Sequence, residues 1–164
     1  MKLEKEIVNE KAFWFGPGKI IYSMIPPYSN FCFHYFLPDA PKNTILQLGV
    51  CGNSFRYLLK EKYPNTILTD VDIEDYSENS DNFIQSDALE FLKTTKNFYD
   101  YSVVDISSEL DINEQIFTEE FQLNLKNKSK SGVINCGTYK KDFVHLPCIK
   151  RIKAENNNLY FWEI

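Results

Sequence analysis

Residues 44–72 read TILQLGVCGNSFRYLLKEKYPNTILTDVD. An apolar run of strand length (Ile45, Leu46, Leu48, Val50) enters a turn holding Gly49 and Gly52. An amphipathic segment, Ser54 to Lys62, follows directly, with Phe55, Leu58 and Leu59 on one helical face, Lys60 and Lys62 outside, and Pro64 as its stop. A second apolar run, Ile67 to Ile73, ends among carboxylates. This is a strand-turn-helix-strand unit with glycines at the first turn and an acid, Asp72, at the end of the second strand. Glycines let the backbone approach a ligand closely, the helix start offers free N–H groups, and a carboxylate roughly 20 residues on accepts ribose hydroxyl hydrogen bonds. The unit predicts an adenosine-containing ligand.

Working outward, Phe83 to Gln85 reads as a third strand, with Ser86 or Asp87 starting a helix through Leu92 to Thr94. Asp87 is either an N-cap or a ligand contact at the end of strand three. Strand four, Tyr101 to Ile106, ends at Asp105, and groups at the carboxyl ends of such strands meet at the ligand crevice. Glu109 and Asp111 lie in the following loop, as amine ligands or as solvated acids. Glu114 to Asn127 reads as one helix carrying Ile116, Phe117, Phe121, Leu123 and Leu125, and Val133 to Cys136 as strand five, where Asn135 and Gly137 close the crevice. Lys140 to Cys148 is a short helix or loop, and Ile149 to Ala154 with Leu159 to Ile164 is an antiparallel hairpin at the sheet edge. The segment DYSENSDN after strand two is too short and polar for a packed helix. Upstream, Met1 to Lys11 has a helical, charged composition and reads as an arm. Ile20 to Met24 is a short strand-like run, and Ser29 is a candidate cap for a helix over Asn30 to Phe36.

These stretches resemble the class I S-adenosylmethionine-dependent methyltransferase superfamily, and within it the spermidine synthase-like branch. ILQLGVCGNSFRYLLKEKYP is similar to that branch's strand-glycine-turn-helix motif, TDVDIED to its V-E-[IL]-D segment, and QSDALEFL to its G-D-A-x-x-F-L segment. FYDYSVVDI resembles the Y-D-x-I-x-x-D strand, and IFTEEFQLNLKNKSKSGVI the helix and strand after it, so that five motifs run in order from Gly18 to Gly137. The resemblance implies a reduced Rossmann-like α/β fold, with a mostly parallel seven-stranded sheet ending in an antiparallel hairpin. Residues 1–43 would form an arm and cofactor-edge segment, and residues 44–164 one compact nucleoside-binding core. It also implies roles: Asp72 on ribose, Asp87 beside the adenine amino group, and Gln47, Gly49, Gly52 and Asn53 around the methionyl part. Asp105 would act on an attacking amine, with Tyr28, Glu109 and Asp111 facing the acceptor. For Tyr28, packing in the core is the competing reading.

Composition bounds the partners. At 164 residues with 43% apolar and 15% aromatic content, the chain is one domain able to bury about 70% of its unfolded surface. No stretch approaches about 18 apolar residues and the N-terminus lacks a signal-peptide core, so a cytoplasmic protein without a membrane segment is expected. Cys32, Cys51, Cys136 and Cys148 form no C-x-x-C pair and no metal-ligand spacing, which argues against a metal site and a disulfide framework. A net charge of −5 argues against nucleic acid as the main partner. Between Asp70 and Glu120 fifteen acids stand against Lys93 and Lys96 alone. An acidic centre of that kind favours a sulfonium or an amine acceptor, although solvated loops and helix starts also collect acids.

The chain departs from the branch at named positions. Gln47 stands where an acid is usual, Cys51 and Asn53 where glycines are usual, and Ser108 where the second acid of D-x-x-D-P falls. Three readings follow: a small methyltransferase using S-adenosylmethionine and an amine-type small-molecule acceptor; an aminopropyltransferase-like enzyme using decarboxylated S-adenosylmethionine; and a non-catalytic nucleoside-binding descendant. The missing helix after strand two also predicts an apolar sheet face that another subunit of a homo-oligomer would cover.

Overall fold

The computed structural model describes residues 4–8, 11–15, 32–50, 54–108, 111–154 and 157–164. In chain order the strands and α-helices are β1 (Glu4–Val8), β2 (Lys11–Phe15), β3 (Thr44–Leu48), α1 (Ser54–Lys62), β4 (Ile67–Asp72), β5 (Phe83–Gln85) and α2 (Ala88–Thr94). They continue as β6 (Tyr101–Val104), β7 (Ser107–Ser108), β8 (Asp111–Ile112), α3 (Glu119–Lys126), β9 (Ser131–Asn135), β10 (Cys148–Ala154) and β11 (Asn157–Glu163).

One seven-stranded sheet, in the order β10-β11-β9-β6-β3-β4-β5, organises the molecule. The β3–β4, β3–β6, β4–β5 and β6–β9 pairs are parallel, while β11 runs antiparallel to both β9 and β10. This is the expected Rossmann-like α/β sheet closing in a hairpin. Its central strands are buried on both faces, which is why residues 45–48 and 101–104 read as continuous burial rather than alternation.

The pleat sorts side chains into two layers. Leu46, Leu48, Val71, Val104, Ile134, Tyr160 and Trp162 pack with α2 and α3. Ile45, Leu68, Val103, Val133 and Leu159 pack on the other face with Phe55 and Leu59 of α1 and with Phe36. Phe55 and Leu59 are 1% and 0% exposed, and burial of each stabilises the fold by about 1.5–3 kcal/mol.

Several sequence expectations shift. Residues 4–8 form a strand paired antiparallel with Lys11–Phe15, in the register Glu4↔Phe15 to Val8↔Lys11, rather than a helical arm. The helix propensity of Lys and Glu is a weak prior that strand pairing overrides, and the β-prone residues of Ile7–Val8 and Phe13–Phe15 lie in the pairing segments. The strand-like run 20–24 and the candidate cap Ser29 lie outside the described residues. Cys32–Phe36 is a 3-10 helix, and Phe36 packs against Phe55, so the described end of the first 43 residues belongs to the core.

The expected helix over 114–127 is two pieces, a 3-10 turn Glu114–Phe117 and then α3. Thr118 divides them because its extended backbone lets its hydroxyl accept the Phe121 N–H. Between β4 and β5 stands only the 3-10 turn Ser77–Asn79. On the α1 face beyond it Phe83 is half-buried and Gln85 exposed, so this corner presents little apolar surface. Among the described residues no helix is long and apolar enough to cross a membrane.

Candidate functional site

The site forms where β3, β4, β5 and β6 end. Gly49 leaves β3 with φ +84°, a conformation that disfavours any residue with a side chain. Its N–H still donates to the Val71 carbonyl at 2.9 Å, and a Cβ here would lie 2.1 Å from the Asp105 carbonyl oxygen. The glycine is therefore required by the spacing of β3 and β6 alone, in addition to any approach of a ligand. One residue on, the Val50 N–H donates to Asp72 Oδ2 at 2.7 Å, and the Glu74 N–H donates to Asp72 Oδ1 at 3.0 Å. Asp72 thus clamps the turns after β3 and β4 together. A carboxylate offers about four lone-pair positions, so both oxygens can also accept from a ligand hydroxyl.

Asp87 caps α2: its Oδ1 accepts from the Leu89 and Glu90 N–H groups at 2.9 and 3.1 Å. The cap and cleft readings coincide, because the same half-buried side chain lines the cleft. Asp105 sits just beyond β6, its backbone N–H bound to the Leu48 carbonyl at 2.8 Å. Asn135, at the end of β9, donates Nδ2–H to Asp105 Oδ1 at 2.8 Å. Burial pushes the Asp105 carboxyl above its ordinary range, the Asn135 hydrogen bond opposes this, and the negative charge of Asp72 adds to it.

Together these residues enclose a cleft of about 370 Å³, within the range of small-ligand sites. Gly49, Asp72, Asp87 and Asp105 all line it, so the structure brings these four predicted positions together. Gln47 is not on the lining. It is 3% exposed beneath the turn, donates Nε2–H to the Gly49 carbonyl at 3.2 Å, and leaves Oε1 without a partner among the described residues. Gly52, Asn53, Tyr28 and Glu109 lie outside the described residues, as does the side chain of Asp111, whose backbone forms β8 against Ser107–Ser108.

Sequence reasoning missed the other lining residues, among them Ile73, Tyr76, Ile106 and Asn113. Ile73 is 66% exposed. A large aliphatic directly after the β4 acid, left uncovered, was the available signal. Asn113 was hidden by its local role, since its Oδ1 accepts the Gln115 N–H at 3.0 Å. Elsewhere His145 pairs with Glu119 at 3.2 Å, and Cys136 is buried, its thiol pushed up to about 12 by that burial. Among the described residues no group of His, Cys, Asp or Glu is placed to hold a metal ion.

No family model and no curated protein matches the sequence. The fold, however, is shared with solved methyltransferases. Human methyltransferase-like protein 13 in complex with SAH superposes with a TM-score of 0.59 at 15% identity, over 82% of this chain and 76% of that one. The N-methyltransferase NodS from Bradyrhizobium japonicum gives 0.58 at 14% identity, over 79% and 90%. The yhhF protein of Escherichia coli gives 0.60 at 10% identity over 98% and 99%, so the likeness extends to overall length. The chain has the class I methyltransferase fold.

Proposed function

We propose that this protein binds S-adenosylmethionine in the cleft at the ends of β3 to β6 and transfers its methyl group to a small amine. The observation that carries the reading is that Asp72, Asp87 and Asp105, from the ends of three different strands, line one cleft of about 370 Å³. The residues fit an adenosine. Asp72 would accept from ribose hydroxyls, and Asp87 Oδ2, which the helix cap leaves unused, would accept the adenine amino group. Ile73, Ala88 and Ile106 supply apolar surface for the base. The bound cofactor supplies an electrophilic methyl on a positively charged sulfur.

The chain's own contribution is positioning and proton handling. Asp105, held at Oδ1 by Asn135, directs Oδ2 to an acceptor nitrogen and takes its proton. A carboxyl above its ordinary range is the better base for that step. The spermidine synthase-like motifs of the sequence support an amine as the acceptor. Gln47, neutral where that branch carries an acid and buried beneath the turn, supplies no charge to offset a methionyl ammonium.

Thermal unfolding with S-adenosylhomocysteine, and separately with methylthioadenosine, tests the proposal. A ligand at 100 times its Kd stabilises by about 2.7 kcal/mol. For a chain of this length the midpoint should rise by about 5–11 °C. A shift with S-adenosylhomocysteine alone supports methyl transfer, and a comparable shift with methylthioadenosine favours aminopropyl transfer from decarboxylated S-adenosylmethionine. No shift with either makes the protein a non-catalytic descendant of the fold.

A further inference from the structure

We infer that the pocket between residues 139–141 and the β10–β11 hairpin binds a phosphate group carried by the amine acceptor. This rests on the methyl-transfer reading above and adds the acceptor's second functional group.

The pocket of about 240 Å³ is lined by Tyr139, Lys140, Lys141, Arg151, Lys153 and Asn158 among others. It is tied to the cleft through one run of hydrogen bonds. Asn135 donates to Asp105 at 2.8 Å and accepts the Gly137 N–H at 2.9 Å. The Gly137 carbonyl in turn accepts the Asn158 backbone N–H at 2.7 Å and its side-chain Nδ2–H at 2.9 Å. It lies on the acceptor side: Asp72 and Asp87 lie at the ends of β4 and β5 on one side of β3, while Asp105 and Asn135 lie at the ends of β6 and β9 on the other.

Charge defines what would bind. Arg151 pairs with Asp142, and Lys141 stands 4.0 Å from Glu114 and 4.3 Å above the Phe117 ring. Lys140 and Lys153 form no ion pair among the described residues. Among the described residues, four cations against two carboxylates leave two positive charges, which a phosphate dianion matches. Lysines on an edge strand also discourage sheet-to-sheet pairing. That role covers Arg151 and Lys153 of β10 but not Lys140 and Lys141, which lie on no strand.

The pocket is smaller than the roughly 300–1,000 Å³ of a whole-ligand site, so it suits one group of a ligand that also enters the cleft. A polyanion is disfavoured because no basic track continues from it among the described residues. Lys128 and Lys130 serve the Thr95 carbonyl and Asp100 beyond the opposite, amino ends of β6 and β9.

Calorimetric titration of the full chain with 3-aminopropyl phosphate at low salt tests this, comparing wild type with the Lys140→Ala, Lys153→Ala double variant. We expect the double variant to bind at least tenfold more weakly, and 1-aminopropane and inorganic phosphate each to bind wild type more weakly than the combined probe. The S-adenosylhomocysteine thermal shift should be equal in both proteins. Equal binding of the probe to both proteins overturns the inference. So does tighter, steeply salt-dependent binding of a 12-nucleotide single-stranded RNA, which would make the ligand a strand. If S-adenosylhomocysteine gives no shift while the probe still separates the two proteins, the phosphate pocket stands and the methyltransferase reading fails.

Discussion

Gly49 and Asp105 leave no space for a side chain between them: a Cβ on Gly49 would stand 2.1 Å from the Asp105 carbonyl oxygen and 3.1 Å from the Ile106 nitrogen. The obstacle is backbone on a central strand's exit, so it cannot rotate away. Gly49→Ala should therefore destabilise by about 2–5 kcal/mol, the sum of a left-handed backbone penalty of about 1–2 and an overpacking cost of about 1–3. At roughly 2–4 °C per kcal/mol the melting midpoint should fall by about 4–20 °C, with or without ligand. An unchanged midpoint would refute the described spacing of β3 and β6.

Asp72 accepts backbone hydrogen bonds from Val50 and Glu74. Asp72→Ala should cost about 1.5–3 kcal/mol of stability, the worth of hydrogen bonds to a charged group. Asp72→Asn, which keeps one acceptor oxygen, should cost less. Both should weaken nucleoside binding, measured by titration with S-adenosylhomocysteine. A variant that loses stability while binding the nucleoside as well as wild type would leave Asp72 as a turn clamp only.

The two jobs assigned to Asp87 separate by substitution. Asp87→Ser keeps an N-cap oxygen for Leu89 and Glu90 and should change stability by only a few tenths of a kcal/mol, whereas Asp87→Ala should cost about 0.5–2. Both remove the free Oδ2, and the affinity for an adenine-containing ligand should fall equally in the two. If affinity follows stability instead, Asp87 acts through the helix start alone.

Asp105 sets a pH dependence. Its carboxyl is raised in the folded chain, first by burial and then by the charge of Asp72, against the opposing Asn135 hydrogen bond. The native state therefore holds this proton at pH values where the unfolded chain has released it. The stability it contributes is complete below the ordinary value of 3.8 and is lost as pH rises through the raised value. Asp105→Asn keeps an acceptor for Asn135 and cannot ionise. It should melt higher than wild type at neutral pH, the gain shrinking to nothing toward pH 3.8, while turnover is abolished and cofactor affinity retained. A pH-independent difference would contradict the raised carboxyl, and unchanged turnover would remove its role with the amine.

The thiols offer a check on packing. Cys136 is buried with its thiol pushed up to about 12, whereas Cys148 is exposed. Iodoacetamide at pH 8 followed by peptide mapping should modify Cys148 in the native protein and Cys136 only after unfolding. Rapid native labelling of Cys136 would show that β9 is not covered as described.

The sequence by itself determined the elements whose signals are local. Alternation and apolar runs placed β3, β4, β5 and α1 to within a residue or two, and the order of glycine turn, Asp72, Asp87 and Asp105 named four lining residues, because each follows a strand end in the chain. Tertiary structure alone decided the rest, since it depends on which distant segments lie side by side. Asn135 meets Asp105 across a separation of thirty residues only because β9 pairs with β6. Gly49 is required by β6 as well as by the left-handed backbone of its own turn. Gln47 falls beneath the turn because β3 is buried on both faces. The cations of β10 join Lys140 and Lys141 because β11 enters between β9 and β10 and folds the hairpin back beside them. A one-dimensional pattern reports which face of an element is apolar; it carries no record of what that face or that strand end will touch.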